Sequence, residues 1–344
     1  MRLDPTVVFL TRVQELLGEG SRSSTYKFAL LQAIADLCVE TPLLQDSHSL
    51  PIHLHELAKK FAAYYWMHDR PFSDGGPLRQ NNSKRSQLAI LSLLQDYRRD
   101  QRDSLACLQE DSRMINKIAA TIKAMPIKHL QNVGGISDEF IYCVDDLKRG
   151  PEINIFPTAV AAFRRFHPIF TQMIRGAWMD KVRALNTTTL GSESELWTYL
   201  FGAQRSDLSG YSAVLREHQD NRCFYCEKKV QAGALDHFIA WKRYPMDLGH
   251  NFVFAHTKCN SAKSDFLAAP EHVSRWLEQN IEQQEVLSGE FRDLGLRHDV
   301  QRTIRVAEWA YEQGAISKAP LWTKGTETVS FDDRALNLLG AVED

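Results

Sequence analysis

The sequence predicts a mainly α chain carrying one small, zinc-stapled strand–strand–helix module, so α+β overall. Two observations support this. Apolar residues recur at helical spacing through the first two hundred residues and again after residue 270. Between those stretches, Cys223-x2-Cys226 and His256-x2-Cys259 form two x2-spaced ligand pairs separated by 29 residues. At 344 residues the chain exceeds one hydrophobic core. The expected organisation is a helical domain over 1–205, the module over 206–270 and a helical extension over 271–344.

In chain order, Phe28, Leu31, Ile34, Ala35 and Cys38 repeat at helical spacing, with Ser23, Ser24 and Thr25 ahead of them as N-cap candidates. Leu54, Leu57, Phe61, Tyr64 and Tyr65 repeat the pattern. Residues 72–83 are rich in Gly, Pro, Asn and Ser and read as an exposed loop; Arg79, Lys84 and Arg85 near its end leave either a solvated loop or a DNA clamp open. Helix is expected again over 88–94 and 115–122. Residues 136–144 and 152–156 are rich in β-formers and flank the turn sequence Lys148-Arg149-Gly150-Pro151, which predicts a hairpin. A long helix over 160–185 comes next, and then a polar stretch, 186–194, that reads as a linker. Beyond the module, 271–281 and 300–311 are helical. Trp276, Trp309 and Trp322 suit packing faces, with base stacking as the alternative.

Composition narrows the function classes. Hydrophobic residues make up 44% and charged residues 24%, and the formal net charge is -2, so the chain is no general nucleic-acid coat protein. No apolar run approaches the roughly 20 residues that span a bilayer. The N-terminus has no secretory pattern, so a cytoplasmic protein without membrane insertion is expected. Cys38, Cys107 and Cys143 are expected as buried free thiols in a reducing compartment.

The cluster carries the chemistry. Cys223, Cys226, His256 and Cys259 give three thiolates and one imidazole, a closed tetrahedral set that suits structural Zn²⁺; taken alone, His256 could be an ordinary strand-end histidine. Residues 235–241 and 252–254 suit strands, and a helix can start at Cys259. Asp236-His237 and Asn251 lie between the pairs, and Asn260 and Lys263 come after them. From Arg222 to Asp265 there are seven Lys/Arg against four Asp/Glu, the sign a phosphate-binding surface needs. His250 reads as a loop histidine. His48, His53, His55 and His68 form no ligand group.

In order and spacing, residues 223–263 resemble the HNH endonucleases, the ββα-metal nucleases. The second ligand pair departs from the Cys-x2-Cys often found there, and the last letter of the family name falls on Asn260. The resemblance implies that His237 is the general base activating water against a phosphodiester, and that Asp236 and Asn260 hold a divalent cation. One carboxylate, one amide oxygen and waters suit Mg²⁺ or Mn²⁺. It further implies that Asn251 holds the loop or orients His237, and that Lys263, Lys242 and Arg243 contact phosphate. A DNA nickase is the implied activity. In size and layout the chain also resembles the HNH nucleases of bacterial anti-phage defence, such as that of type II Zorya systems, which implies phage or foreign DNA as substrate and partner proteins of such a system. The alternatives are a zinc-stabilised nucleic-acid-binding or adaptor module without catalysis, and an RNA endonuclease.

Overall fold

The computed structural model describes residues 4–342 except 19–23, 43–48, 74, 84–86, 100–103, 134, 135, 188–192, 203–207 and 246. Ser23, His48, Lys84 and Arg85, and most of the expected linker over 186–194, therefore lie outside the described residues. The chain divides into two compact units, Met1–Gly202 and Ala203–Asp344. The boundary expected between 270 and 271 falls inside the second unit, whose later helices pack on the module itself. Among the described residues no helix is long and apolar enough to cross a membrane.

The first unit contains α1 (Pro5–Gly18), α2 (Tyr26–Glu40), β1 (Leu50–His53), α3 (Leu54–Tyr65), α4 (Ala89–Arg99), α5 (Leu105–Glu110), α6 (Ser112–Ala124), α7 (Pro126–His129), β2 (Asn132–Val133), β3 (Ile136–Ser137), β4 (Glu152–Ile155), α8 (Pro157–Leu185) and α9 (Glu193–Phe201). Helix α2 is buried along its whole length from Phe28 to Glu40, the behaviour of a helix that is apolar on nearly every side. Its polar residues Gln32, Asp36 and Glu40 keep i, i+4 spacing and so share one face. There Lys60 donates to Glu40 (2.5 Å), Tyr64 donates to Asp36 (2.6 Å), and His167 Nε2 meets Asp36 at 2.8 Å. Burial alone would raise the Asp36 carboxyl, but Lys60 and His167 hold it below the usual carboxylate range. His167 reaches that face because α8 kinks at Phe166 (φ -119°, ψ 25°), just before Pro168, whose ring cannot donate to the helix.

The expected hairpin is reduced to one antiparallel bridge, Tyr142↔Ile155, with Phe156 N–H donating to the Ile141 carbonyl (2.8 Å). Strand β4 pairs antiparallel with the distant β1, in register Leu50↔Ile155 to His53↔Glu152, and β3 pairs with β2. The other side of residues 140–142 is held by the buried Gln131 side chain: its Oε1 accepts from the backbone N–H of Phe140, Ile141 and Tyr142, and its Nε2 donates to the Tyr142 carbonyl. In the loop before α4, the Arg79 guanidinium donates to the carbonyls of Leu185, Asn82 and Ser83, so it is engaged within the fold rather than presented as a clamp. Of the three scattered cysteines only Cys38 is buried; Cys107 is exposed because Leu105 and Leu108 are the residues of short α5 that face the core.

The second unit contains α10 (Ser209–His218), β5 (Ala234–His237), β6 (Phe252–Ala255), α11 (Thr257–Lys263), β7 (Leu267–Ala268), α12 (Pro270–Glu282), α13 (Gln284–Asp293), α14 (Val300–Ser317), β8 (Leu321–Lys324), β9 (Glu327–Val329) and α15 (Arg334–Gly340). Strands β5 and β6 pair antiparallel, Ala234↔Ala255 to His237↔Phe252. Strand β7 pairs parallel with β8, and β8 antiparallel with β9. Trp276, Trp309 and Trp322 are all buried, as packing residues.

Candidate metal centre and active site

The Cys223–Cys226 turn is built by backbone bonds. Cys223 N–H donates to the Lys228 carbonyl (2.9 Å) and Glu227 N–H to the Cys223 carbonyl (2.8 Å), with Glu227 in the left-handed region at φ 59°. Strand β6 then delivers His256 as the N-cap of α11, and Cys259 falls in the first helical turn. One donor atom from each of Cys223, Cys226, His256 and Cys259 lies within 4.8 Å of all the others, so the four could hold a metal ion. His256 Nδ1 faces Cys226 Sγ at 3.3 Å, while Nε2 faces the Lys229 carbonyl at 3.2 Å. A carbonyl can only accept, so the ring proton sits on Nε2 and Nδ1 is left as the ligand, the usual arrangement behind a metal-bound imidazole. The three sulfurs also resist sharing one small space as anions. Burial together with Cys223 and Cys226 pushes the Cys259 thiol up to about 12. Burial opposes ionisation of Cys223 as well, but N–H donors from Cys226, His256 and Tyr225 bring it below the ordinary thiol value. A divalent cation at the centre would relieve that repulsion, and three thiolates with one imidazole fit zinc.

Next to this cluster, successive residues of β5 point to opposite faces. Asp236, nearly buried, accepts from the Tyr225 hydroxyl (2.5 Å) and pairs with the Lys263 ammonium (3.2 Å), both through Oδ2. Lys263 is 0% exposed and also donates to the His237 carbonyl (3.0 Å). Burial lowers its pKa, and Asp236 opposes that shift. The phosphate contact expected of Lys263 is thus corrected: an ammonium sealed between a carboxylate and a carbonyl is an internal counter-ion and cannot reach a substrate. Asn260, on the same helix, donates to the Leu235 carbonyl (3.0 Å).

On the opposite face, His237 Nε2 meets Asp247 Oδ1 at 2.8 Å, and its ring packs against Phe252 (centroids 4.5 Å) and Trp241 (5.4 Å). The Asn251 side chain accepts from Ile239 N–H (2.8 Å) and donates to the Ile239 carbonyl (3.0 Å), clamping the chain that leaves β5. It does not bond His237. Lys242 is exposed and pairs with Asp265 (2.7 Å), while half-buried Arg243 donates through Nε to the Asp265 carbonyl (2.9 Å). Burial lowers the Arg243 pKa.

Several residues that shape the site escape a sequence reading. Tyr225, inside the first cysteine pair, carries no motif. Asp247 did leave a signal, as the only carboxylate between Asp236 and Asp265. His250, expected as a loop histidine, is buried: its ring bonds Asn280 (2.8 Å) and Ser288 (3.1 Å), and its carbonyl accepts from Trp276 Nε1 and Asn280 Nδ2. Burial pushes its pKa down to about 4. Arg275 donates to the Phe224 carbonyl (2.8 Å), Trp276 stacks on Phe238 (4.7 Å, 6°), and Trp322 packs on Tyr225 (5.1 Å). Helices α12 and α13 and strand β8 thus pack on the site.

No curated protein and no solved structure matches the chain. Residues 8–200, more than half of the sequence and almost all of the first unit, match the model of a family described as "Domain of unknown function (DUF8808)", and the chain belongs to that family.

Proposed function

We propose that the chain is an HNH (ββα-metal) DNA endonuclease, a nickase with a structural zinc and a catalytic divalent cation, whose first unit serves targeting, partner binding or regulation, in bacterial anti-phage defence. One observation carries the reading: on a strand–strand–helix unit beside the Cys/His cluster, His237 is partly exposed and fixed through Nε2, with Nδ1 bonded to no described residue. A neutral imidazole with one oriented lone pair is the group that can take a proton from water near pH 7. Asn251 fixes the chain just beyond His237. The excess of three basic residues between Arg222 and Asp265 favours a phosphate-bearing partner, and exposed Lys242, with Arg243 beside it, is placed to meet one.

The donors available for Mg²⁺ or Mn²⁺ are Asp236 Oδ1 and Asn260 Oδ1, neither of which bonds a described residue. Two such oxygens suit a hard cation that keeps several waters. Bound there, the cation would stabilise negative charge developing on the phosphate. The Lys263 ammonium already neutralises Asp236, and that favours a second reading, a zinc-stabilised nucleic-acid-binding or adaptor module without catalysis. The test is incubation of the full chain with supercoiled plasmid and Mg²⁺ or Mn²⁺, with a labelled RNA in a parallel arm. Nicking by the wild type and its loss in His237→Ala are expected. An inert wild type, or equal nicking by His237→Ala, sinks the catalytic reading, and cleavage of RNA alone moves the substrate.

A further inference from the structure

We infer that Asp247 is the positioning residue of His237, and that it is held in place by the C-terminal helices; this rests on the nuclease reading of His237. A carboxylate only accepts hydrogen bonds, so the 2.8 Å contact between Asp247 Oδ1 and His237 Nε2 puts the ring proton on Nε2 and the lone pair on Nδ1. Phe252 and Trp241 limit rotation of the ring. The lone pair thereby gains both a fixed identity and a fixed direction, the role an orienting acid plays beside a histidine base.

The segment from Gly249 to Asn251 holds Asp247 in position. Gly249 N–H donates to the Arg297 carbonyl (2.8 Å), which also accepts from the Tyr211 hydroxyl (2.9 Å). A Cβ at Gly249 would lie 2.7 Å from the Phe291 ring, so the backbone there rests directly on α13. His250 is bonded at both ring nitrogens, to Asn280 of α12 and Ser288 of α13. Between this anchorage and β6, Asn251 ties the same segment back to Ile239. The loop is therefore determined from both sides, and a slip of about 1 Å at a catalytic group costs on the order of 100-fold in rate.

The experiment is long-range ¹H–¹⁵N NMR of the histidine side chains in the full-length chain, without divalent cation or DNA, at a pH where His237 is neutral. The wild type should show His237 as the Nε2–H tautomer, and Asp247→Ala a mixture with the Nδ1–H form. Nicking of supercoiled plasmid with Mn²⁺ should then fall about 100-fold in kcat, with KM changed less than about twofold, and Asp247→Glu should recover part of the loss. Gly249→Ala, which displaces the loop from α13 without touching the carboxylate, should give the same kcat signature. Should Asp247→Ala fail to fold, Asp247→Leu keeps a similar volume without an acceptor and is read by the same spectrum. A wild-type Nδ1–H tautomer, or a tautomer unchanged where position 247 offers no acceptor, overturns the inference. The spectrum needs neither metal nor DNA, so a chain that does not cut defeats the nuclease reading while the tautomer still judges Asp247.

Discussion

Replacing Lys263 with Met should cost about 4 kcal/mol of stability at pH 7, and the size of the effect comes from the charge left behind. The Lys263 ammonium is fully buried, 3.2 Å from Asp236 Oδ2 and 3.0 Å from the His237 carbonyl. Met fills a similar volume but leaves Asp236 with only the Tyr225 hydroxyl. The stranded carboxylate can always escape by taking a proton, and that sets a ceiling. From a free value of about 3.9 to pH 7 is roughly three units at about 1.36 kcal/mol each, or about 4 kcal/mol. Removing one partner of a buried ion pair costs about 3–5 kcal/mol by experience, which agrees. A protonated carboxyl is no longer a stranded charge, so the deficit shrinks as pH falls toward the carboxylate range. Asp236→Leu should cost a similar amount, because the ammonium must then lose a proton. The double variant Asp236→Leu/Lys263→Met strands no charge and should lie close to the wild type. Urea unfolding of the full chain at pH 7 and pH 5 reads all three. A Lys263→Met chain within about 1 kcal/mol of the wild type, or a deficit that does not change with pH, would refute the internal counter-ion and return Lys263 to the candidate phosphate contacts.

Elemental analysis of the purified chain should find one zinc per molecule, lost in Cys226→Ser and Cys259→Ser; a metal-free wild type ends the zinc assignment. His250 and His68 are both pushed down to about 4 by burial. Between about 4 and 6.5 the unfolded chain binds protons that the folded chain refuses, so stability present above pH 6.5 is lost as pH falls, by up to about 3 kcal/mol per residue. His250→Gln should flatten that acid limb, and an unchanged limb would acquit His250. Ser264 closes α11 at φ 50° and ψ -127°, a region that favours glycine. Ser264→Gly should therefore stabilise by about 1 kcal/mol in a thermal melt, and a lowered melting temperature would count against backbone strain there.

What the sequence made legible depended on range. The helices around Phe28, Leu54, Ile115 and Val300 show themselves through periodicity, and each is present. The Cys/His cluster was legible because x2 spacing puts two donors on one turn, a local property. The pairing of β4 was not, because β-forming residues say nothing about which strand will accept them, and Leu50–His53 lies a hundred residues away. Nor was the use of Gln131 as a substitute strand. At the site, Lys263 looked like a phosphate contact because a lysine one turn beyond Asn260 is normally solvated; only the tertiary fold seals it against Asp236. The dependence of the 247–251 loop on α12 and α13 runs through His250 to Asn280 and Ser288, contacts that leave no pattern in either segment.

Helix α11 has seven residues, too few to persist in water by itself. Three contacts hold it against the rest of the module, and they are spaced along its length. At its start His256 and Cys259 join Cys223 and Cys226 in the Cys/His cluster; in the middle Asn260 donates to the Leu235 carbonyl of β5; at its end Lys263 donates to the His237 carbonyl and pairs with Asp236. Each is polar or ionic, which is what so short a helix needs where apolar burial is small. The histidines show the same division of labour. His256 and His250 have contacts at both ring nitrogens, the first within the Cys/His cluster and the second to the C-terminal helices. His237 has one, to Asp247, and its other nitrogen bonds no described residue. Within 222–266 it is the imidazole that the fold orients without consuming, and the proposed role of His237 as general base rests on that asymmetry.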